Sequence, residues 1–135
     1  MNNANSPWPV APPQIPLPKL AETILRLSDH YIKNPQAATP WIETHCQQAY
    51  RYYFLPLNYI RNVGVIKRGQ QLGFFDDLNH FIDWGAGPGT ASLALSHTLT
   101  TKTKITEQIL IDHSPEVLKL FSDLHTDLQN AKVST

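Results

Sequence analysis

The 135-residue sequence predicts an α/β fold in which helices precede a parallel strand–helix–strand–helix run. Three observations carry that expectation. Two short apolar runs, at residues 80–84 and 108–112, stop at glycine or polar residues as buried strands do. Each is followed by a stretch of helical length, and strands joined through a helix pair in parallel by a right-handed crossover. A glycine cluster joins the first run to its helix, at the junction where open α/β sheets bind ligands.

Composition supports a folding chain. Hydrophobic residues make up 41% and charged residues 16%, the latter well below the ~25% usual for soluble domains. Eleven Lys and Arg balance eleven Asp and Glu, which excludes a strongly basic nucleic-acid tail and an acidic solvating tail. A single cysteine, Cys46, excludes an intrachain disulfide and a multi-cysteine metal cluster. No apolar run approaches the ~18 residues of a membrane span. No apolar stretch precedes Lys19, and that segment holds no arginine, so neither a signal nor a transit peptide is expected. A cytoplasmic location follows as the expectation.

Residues 1–18 hold six of the eleven prolines and no charged side chain. Proline fixes its own φ and pushes its predecessor out of the helical region, so an extended arm is expected. Trp8, Val10, Ile15 and Leu17 are its candidate anchors; it either hangs free or docks on the protein's own surface. Residues 19–75 read as helical. Leu20, Ile24, Leu27 and Tyr31 share one helical face, and Asn34-Pro35 ends that helix. Thr39-Pro40 reads as an N-cap with proline at the first position of a second helix, 40–54, which Leu55-Pro56 breaks. A third helix is expected from Pro56 towards Leu72, with Leu57, Ile60, Val63 and the Lys67 stem on its apolar face.

Residues 76–135 form the α/β part. The first strand ends at Trp84, a helix runs over residues 90–99, and Lys102–Lys104 lies in a polar turn. The second strand ends at Asp112. Ser114-Pro115 then repeats the cap-and-proline signature, with Glu116 near the positive end of the helix dipole. Val117, Leu118, Leu120, Phe121, Leu124 and Leu128 give that last helix its apolar face.

The segment Asp83-Trp84-Gly85-Ala86-Gly87-Pro88-Gly89-Thr90 carries the chemistry. Three glycines in five residues permit a tight turn and let a ligand approach bare backbone. N–H groups at the following helix start can bind a small anionic group. Asp112, twenty-nine residues after Asp83, ends the neighbouring strand, where a carboxylate can accept both hydroxyls of a ribose. The dinucleotide pattern G-x-G-x-x-G places its third glycine where this chain has Thr90. Asp83, two residues before the first glycine, would repel a pyrophosphate, but suits a sulfonium or ammonium cation. The pattern therefore favours S-adenosylmethionine over a nicotinamide or flavin. A glycine turn that binds nothing is the plain alternative. Candidate cofactor residues are Asp83, Gly85, Ala86, Gly87, Gly89, Thr90, Asp112 and His113; no metal site is expected, and the sequence identifies no catalytic residue.

Asp83–Thr90 resembles the first motif of class I adenosylmethionine-dependent methyltransferases, and Ile111-Asp112-His113-Ser114 resembles their second. Within that superfamily, FIDWGAGPGTASLAL (residues 81–95) is most similar to the methyltransferase-like ribosomal small-subunit assembly family. Tyr59, Arg61 and Arg68 ahead of the first strand are compatible with it. The resemblance covers residues 41–126. It implies N-terminal helices followed by the first β-α-β-α units of a Rossmann-like methyltransferase fold, an incomplete sheet, and an N-terminal, cofactor-binding portion of such a protein. The family's metal-cluster cysteines are missing here. Its fourth strand, which flanks the first, has no counterpart, so one edge of the first strand is expected to be bare or covered by self-association or a partner chain. Acceptor-binding residues, which follow the fourth and later strands in that superfamily, are also missing.

The basic and aromatic stretch at Arg51, Arg61, Lys67 and Arg68, interleaved with Tyr50, Tyr52, Tyr53, Phe54 and Tyr59, holds no acid between Glu43 and Asp76. Such residues serve RNA contact or helix packing. Three functions stay open: a cofactor-binding portion linked to ribosomal RNA or small-subunit assembly, a non-catalytic RNA or protein interaction module, and a truncated inactive fragment.

Overall fold

A computed structural model of the chain describes residues 12–99, 105–124 and 131–134. The protein is mixed α/β, with several helices and a parallel sheet. It divides into two compact units, residues 1–56 and 57–135. The boundary falls inside the stretch that the sequence assigned wholly to N-terminal helices, so the third helix belongs with the sheet.

In the first unit, helix α1 spans Leu17–Lys33, with Pro18 in its first turn and Asn34 at its C-cap. Its expected face is the observed one. Leu20 and Leu27 are buried with Cys46 and Ala49, and Ile15, Ile24, Tyr31, Tyr52 and Phe54 pack around them. Burying each leucine contributes about 2 kcal/mol. The end of the proline-rich arm docks here: Ile15 joins that core, and the Gln14 N–H donates to Gln48 Oε1 at 3.1 Å. Trp8 and Val10 lie outside the described residues.

Helix α2, Thr44–Ala49, starts four residues later than expected, with Glu43 as its N-cap. Thr39 does not cap it. Its hydroxyl instead meets the Tyr31 hydroxyl at 3.1 Å, and Pro40 opens a turn closed by the Glu43 N–H on the Pro40 carbonyl at 3.1 Å. Nor does Leu55-Pro56 break the helix. A π-helical turn, Tyr50–Phe54, leads directly into helix α3, Leu55–Gln71. Proline has no N–H and its ring collides with the carbonyl four residues back in an α-helix. Here the ladder widens first, with the Leu55 N–H donating to the Tyr50 carbonyl. A wide turn loosens that crowding, so the chain stays helical through Pro56.

The second unit is built on strands β1 (His80–Trp84), β2 (Glu107–Ile111) and β3 (Ala131–Ser134), all parallel and in that spatial order. β3 is absent from the sequence reading, which ended the sheet at its second strand. Its four residues hold one large apolar side chain, Val133, so no run announces it; pairing with β2 defines it. Register sets Ile82 beside Ile109 and Trp84 beside Ile111, on the face opposite Phe81, Asp83, Gln108 and Leu110.

Helix α4, Thr90–Thr98, follows β1, and α5, Pro115–Leu124, follows β2. Ala94 and Leu95 of α4 are buried with Ile66 of α3, and Tyr59, Val63, Phe75, Leu78 and Phe81 pack against them. The inward stripe of α3 is thus Tyr59, Val63 and Ile66, which keeps Val63 of the expected Leu57, Ile60, Val63 and Lys67; Ile60 is exposed. Both stripes have helical spacing. The winning one is on the side where Phe75 folds back, so closely that a Cβ on Gly69 would sit 2.7 Å from the Phe75 ring. The expected turn at Lys102–Lys104 and the side chains of Phe121, Leu124 and Leu128 lie outside what the structure describes.

Candidate functional site at the glycine turn

The site is assembled where β1 and β2 end. Gly85, Gly87 and Gly89 adopt φ of +70°, +54° and +72°, a left-handed region that a Cβ disfavours. At Gly85 an added Cβ would meet no atom within 4 Å, so backbone conformation alone asks for glycine there. The Gly85 and Ala86 N–H groups donate to the Ile111 carbonyl at 2.9 and 3.0 Å. The turn is therefore pinned to the tip of the neighbouring strand.

Asp112 does the rest of the pinning. One carboxylate oxygen accepts the Gly87 N–H at 2.8 Å, and the other accepts the Ser114 N–H at 3.0 Å. Its residue exposure is 7%. The sequence suggested a ribose acceptor; what the structure shows is this side chain holding the two loops to one another. Each carboxylate oxygen has a further lone pair for another donor. His113, beside it, is exposed, with Nδ1 3.4 Å from Asp112 Oδ1.

Asp83 accepts the Ser92 hydroxyl at 2.8 Å, which ties the end of β1 to the first turn of α4. Gly89 is the N-cap of α4 and offers no side-chain acceptor, so no cap bond covers the first amides of that helix. Thr90 follows it, 5% exposed, and its buried hydroxyl has no hydrogen-bond partner. On the other side, Ser114 accepts the Val117 N–H at 3.4 Å and donates to Glu116 at 2.8 Å. The Glu116 carboxyl is held below its ordinary range by its own backbone N–H and then by that hydroxyl.

All eight sequence-predicted residues thus lie at or between the strand ends and the helix starts: Asp83 within β1, Thr90 as the first residue of α4, and the rest on the two loops. Hydrogen bonds join Gly85, Ala86 and Gly87 to Ile111 and Asp112, whereas Asp83 bonds to Ser92 and the Thr90 hydroxyl to nothing. Ser92 and Ser114 were missed. The signal for Ser114 was present as a cap, but its bond to Asp112 needs the folded loop. No sequence signal marks Ser92, since an α4 serine nine residues from Asp83 meets it only after the strand turns into the helix.

Two carboxylates, Asp83 and Asp112, end the two strands, each already accepting hydrogen bonds within the protein, and residues 83–92 and 111–116 contain no lysine or arginine to balance a pyrophosphate. Among the described residues, no group of His, Cys, Asp or Glu is arranged to hold a metal ion. No helix among them is long and apolar enough to cross a membrane.

A separate cleft of about 270 Å³ lies in the first unit, lined by Arg26, Leu27, His30, Pro40 and Glu43. Arg26 pairs with Glu43 at 2.5 Å and also donates to the Cys46 sulfur at 3.3 Å. Burial raises the Cys46 thiol to about 11, and its hydrogen bond to Glu43 acts in the same sense. The thiol donates to Glu43 Oε2 at 3.3 Å.

No protein-family model matches the chain, and no curated protein matches its sequence. Among solved structures, it is similar to an uncharacterized ACR protein from Burkholderia thailandensis, with 13% identity and a TM-score of 0.47. That likeness covers 94% of this chain and 38% of the other, so the chain spans well under half of that protein's length. A likeness at this level assigns no family, and none of these comparisons points to a ribosomal assembly family.

Proposed function

We propose that the second unit is the cofactor-binding portion of a methyltransferase-like protein and that its crevice takes S-adenosylmethionine. The observation that carries this is the Asp112 carboxylate holding Gly87 at 2.8 Å, which fixes a turn of three left-handed glycines beside a helix start. In this reading the glycines present bare backbone to the nucleoside, and Asp112 and His113 face its ribose and base. Asp83 supplies negative charge on the sulfonium side. When bound, the cofactor supplies an activated methyl group. Methyl transfer depends chiefly on positioning donor and acceptor, and no residue of this chain is assigned to the acceptor or to catalysis.

Calorimetry on the full chain with adenosylmethionine, adenosylhomocysteine and NAD separates the possibilities. Saturable 1:1 binding of the first two, absent with NAD and lost in Gly87→Arg, is the expected result. No heat from either adenosyl compound at about 1 mM (a bound of about 4 kcal/mol on the binding free energy), or equal binding of NAD, overturns the reading.

A second reading, contact with ribosomal RNA, is favoured by one observation. Arg61, Lys67 and Arg68 are exposed on α3, a helix without acids, around Gly64, where an added Cβ would meet nothing within 4 Å. Small-subunit RNA binding that survives Asp112→Ala but falls steeply with salt and with Arg61→Glu supports it. Binding unchanged by Arg61→Glu removes it.

A further inference from the structure

Tyr59, Val63 and Ile66 turn α3 towards its core. On the opposite side the exposed residues fall in two adjoining rows. Ile60, Gly64 and Lys67 form one; Arg61, Val65 and Arg68 form the next, which Leu72 extends by a turn. Steps of four and three residues keep each row on one side of a helix. Leu72 lies just past the helix end but stays on its ladder, its N–H donating to the Arg68 carbonyl at 3.3 Å. At the helical rise, the rows run for about 18 Å.

This face combines two chemistries. Ile60, Val65 and Leu72 are 57%, 71% and 67% exposed, aliphatic where a solvated helix carries polar residues. Arg61, Lys67 and Arg68 stand among them, and none of the three joins an ion pair among the described residues. Arg61 and Arg68 reach only neutral amides one turn away, Asn58 at 3.5 Å and Gln71 at 3.3 Å. Gly64 makes a notch between them. Glycine weakens a helix interior, and a Cβ here would meet nothing within 4 Å, so no neighbour in the described chain asks for glycine.

We propose that this face docks an acidic amphipathic helix of a partner protein. Its aliphatic residues would lie over Ile60, Val65 and Leu72, its carboxylates against Arg61, Lys67 and Arg68, and its backbone closest at Gly64. The sign of the charge selects the partner: α3 carries no acid, so a neutral or cationic helix would cover three cations without pairing them. RNA, the second reading above, accounts for the cations alone. Phosphates gain nothing from three bare aliphatic side chains, and this face carries no aromatic ring between Ile60 and Leu72 on which a base could stack. A helix fits the shape as well, because rows of this spacing are the ridges that interlock when helices pack, and glycine lets two axes approach to about 8 Å. The inference does not rest on what the crevice binds.

The test is fluorescence anisotropy of the full chain with a labelled peptide of about 14 residues, enough to span the rows, held helical by a hydrocarbon staple. Its inward positions are leucine and its flanks glutamate; a second peptide has lysine at the flanks. Three turns of helix bury less than the ~1,200 Å² of standard complexes, so a Kd of about 10–100 µM is expected for the glutamate peptide. It should weaken with salt, and the lysine peptide should not saturate. Val65→Ser and Leu72→Ser should each weaken binding about 10-fold, the loss of one covered aliphatic side chain. Gly64→Gln, which fills the notch with a good helix former, should do the same with circular dichroism unchanged. Leu25→Ser, at an apolar residue of α1 as exposed as Val65, should leave it intact. No binding of the glutamate peptide at about 1 mM, equal binding of both peptides, or indifference to Val65→Ser and Gly64→Gln overturns the proposal. A single-stranded RNA that displaces the peptide, and whose own binding falls with Arg68→Gln but not with Val65→Ser, overturns it too and assigns the face to RNA.

Discussion

Replacing Asp112 by alanine should unfold the crevice from its centre. The carboxylate is almost buried and accepts two backbone N–H groups, Gly87 at 2.8 Å and Ser114 at 3.0 Å. Alanine leaves both donors without an acceptor in a place where water has little access. A hydrogen bond to a charged group contributes about 1.5–3 kcal/mol, so losing two, with partial rescue by water, costs about 3 kcal/mol. For a unit of this size, each kcal/mol moves the melting midpoint by about 4–8 °C, and the expected fall is about 12–24 °C. Asp112→Asn should cost roughly half as much, since its one oxygen satisfies one donor while its amide faces the other. Thermal melts followed by circular dichroism give the midpoints, and amide hydrogen exchange at Gly87 gives the local reading. Both should change together. If Asp112→Ala melts within 2 °C of the parent, on the order of half a kcal/mol, while the Gly87 amide stays protected, the carboxylate is not what holds the turn.

Three further outcomes are expected. Gly85→Ala should cost about 1–2 kcal/mol in denaturant titrations through its positive φ alone, with Gly85→Asn costing less, because the space beside it is open. Gly64→Ala should stabilise α3 by about 1 kcal/mol, whereas Gly69→Ala should lose that gain to the collision with Phe75 and recover it in a Phe75→Ala background. The Cys46 thiol should resist alkylation at pH 8 until the first unit unfolds. Its raised folded value means that the unfolded chain ionises first as pH climbs from 9. Stability linked to this group is therefore intact below pH 9 and lost as pH rises towards 11, and Cys46→Ala should remove that slope from pH-dependent melts.

Much of this structure was legible in the chain because its signals are local. The stripe Leu20, Ile24, Leu27 and Tyr31 needs only helical spacing, and β1 needs only five residues ending at glycine. The glycine turn announced itself for the same reason: positive φ at three alternate residues is a constraint on those residues alone. What failed was decided by neighbours. Pro56 is a helix breaker in isolation, yet the π-helical turn before it gives the ring room. Two stripes on α3 were equally periodic, and Phe75, from outside the helix, selected between them. β3 carries almost no apolar pattern and is specified by its register against β2. The bridging by Asp112 was hidden because one carboxylate cannot be seen to join residues 87 and 114 until both loops are closed.

The two exposed side chains on β1 and the glycine turn belong to one problem. Trp84 immediately precedes Gly85, so whatever covers the edge of β1 also bounds the crevice on that side. β3 does not relieve this, since it adds to the far side of β2 and leaves β1 at the margin. The turn itself is complete without that edge: the Gly85 and Ala86 N–H groups bond to the Ile111 carbonyl and the Gly87 N–H to Asp112, all on the β2 side. Ile82→Lys and Trp84→Lys should therefore leave the Gly87 amide as protected from hydrogen exchange as in the parent, and loss of that protection would show that the turn depends on β1's exposed face.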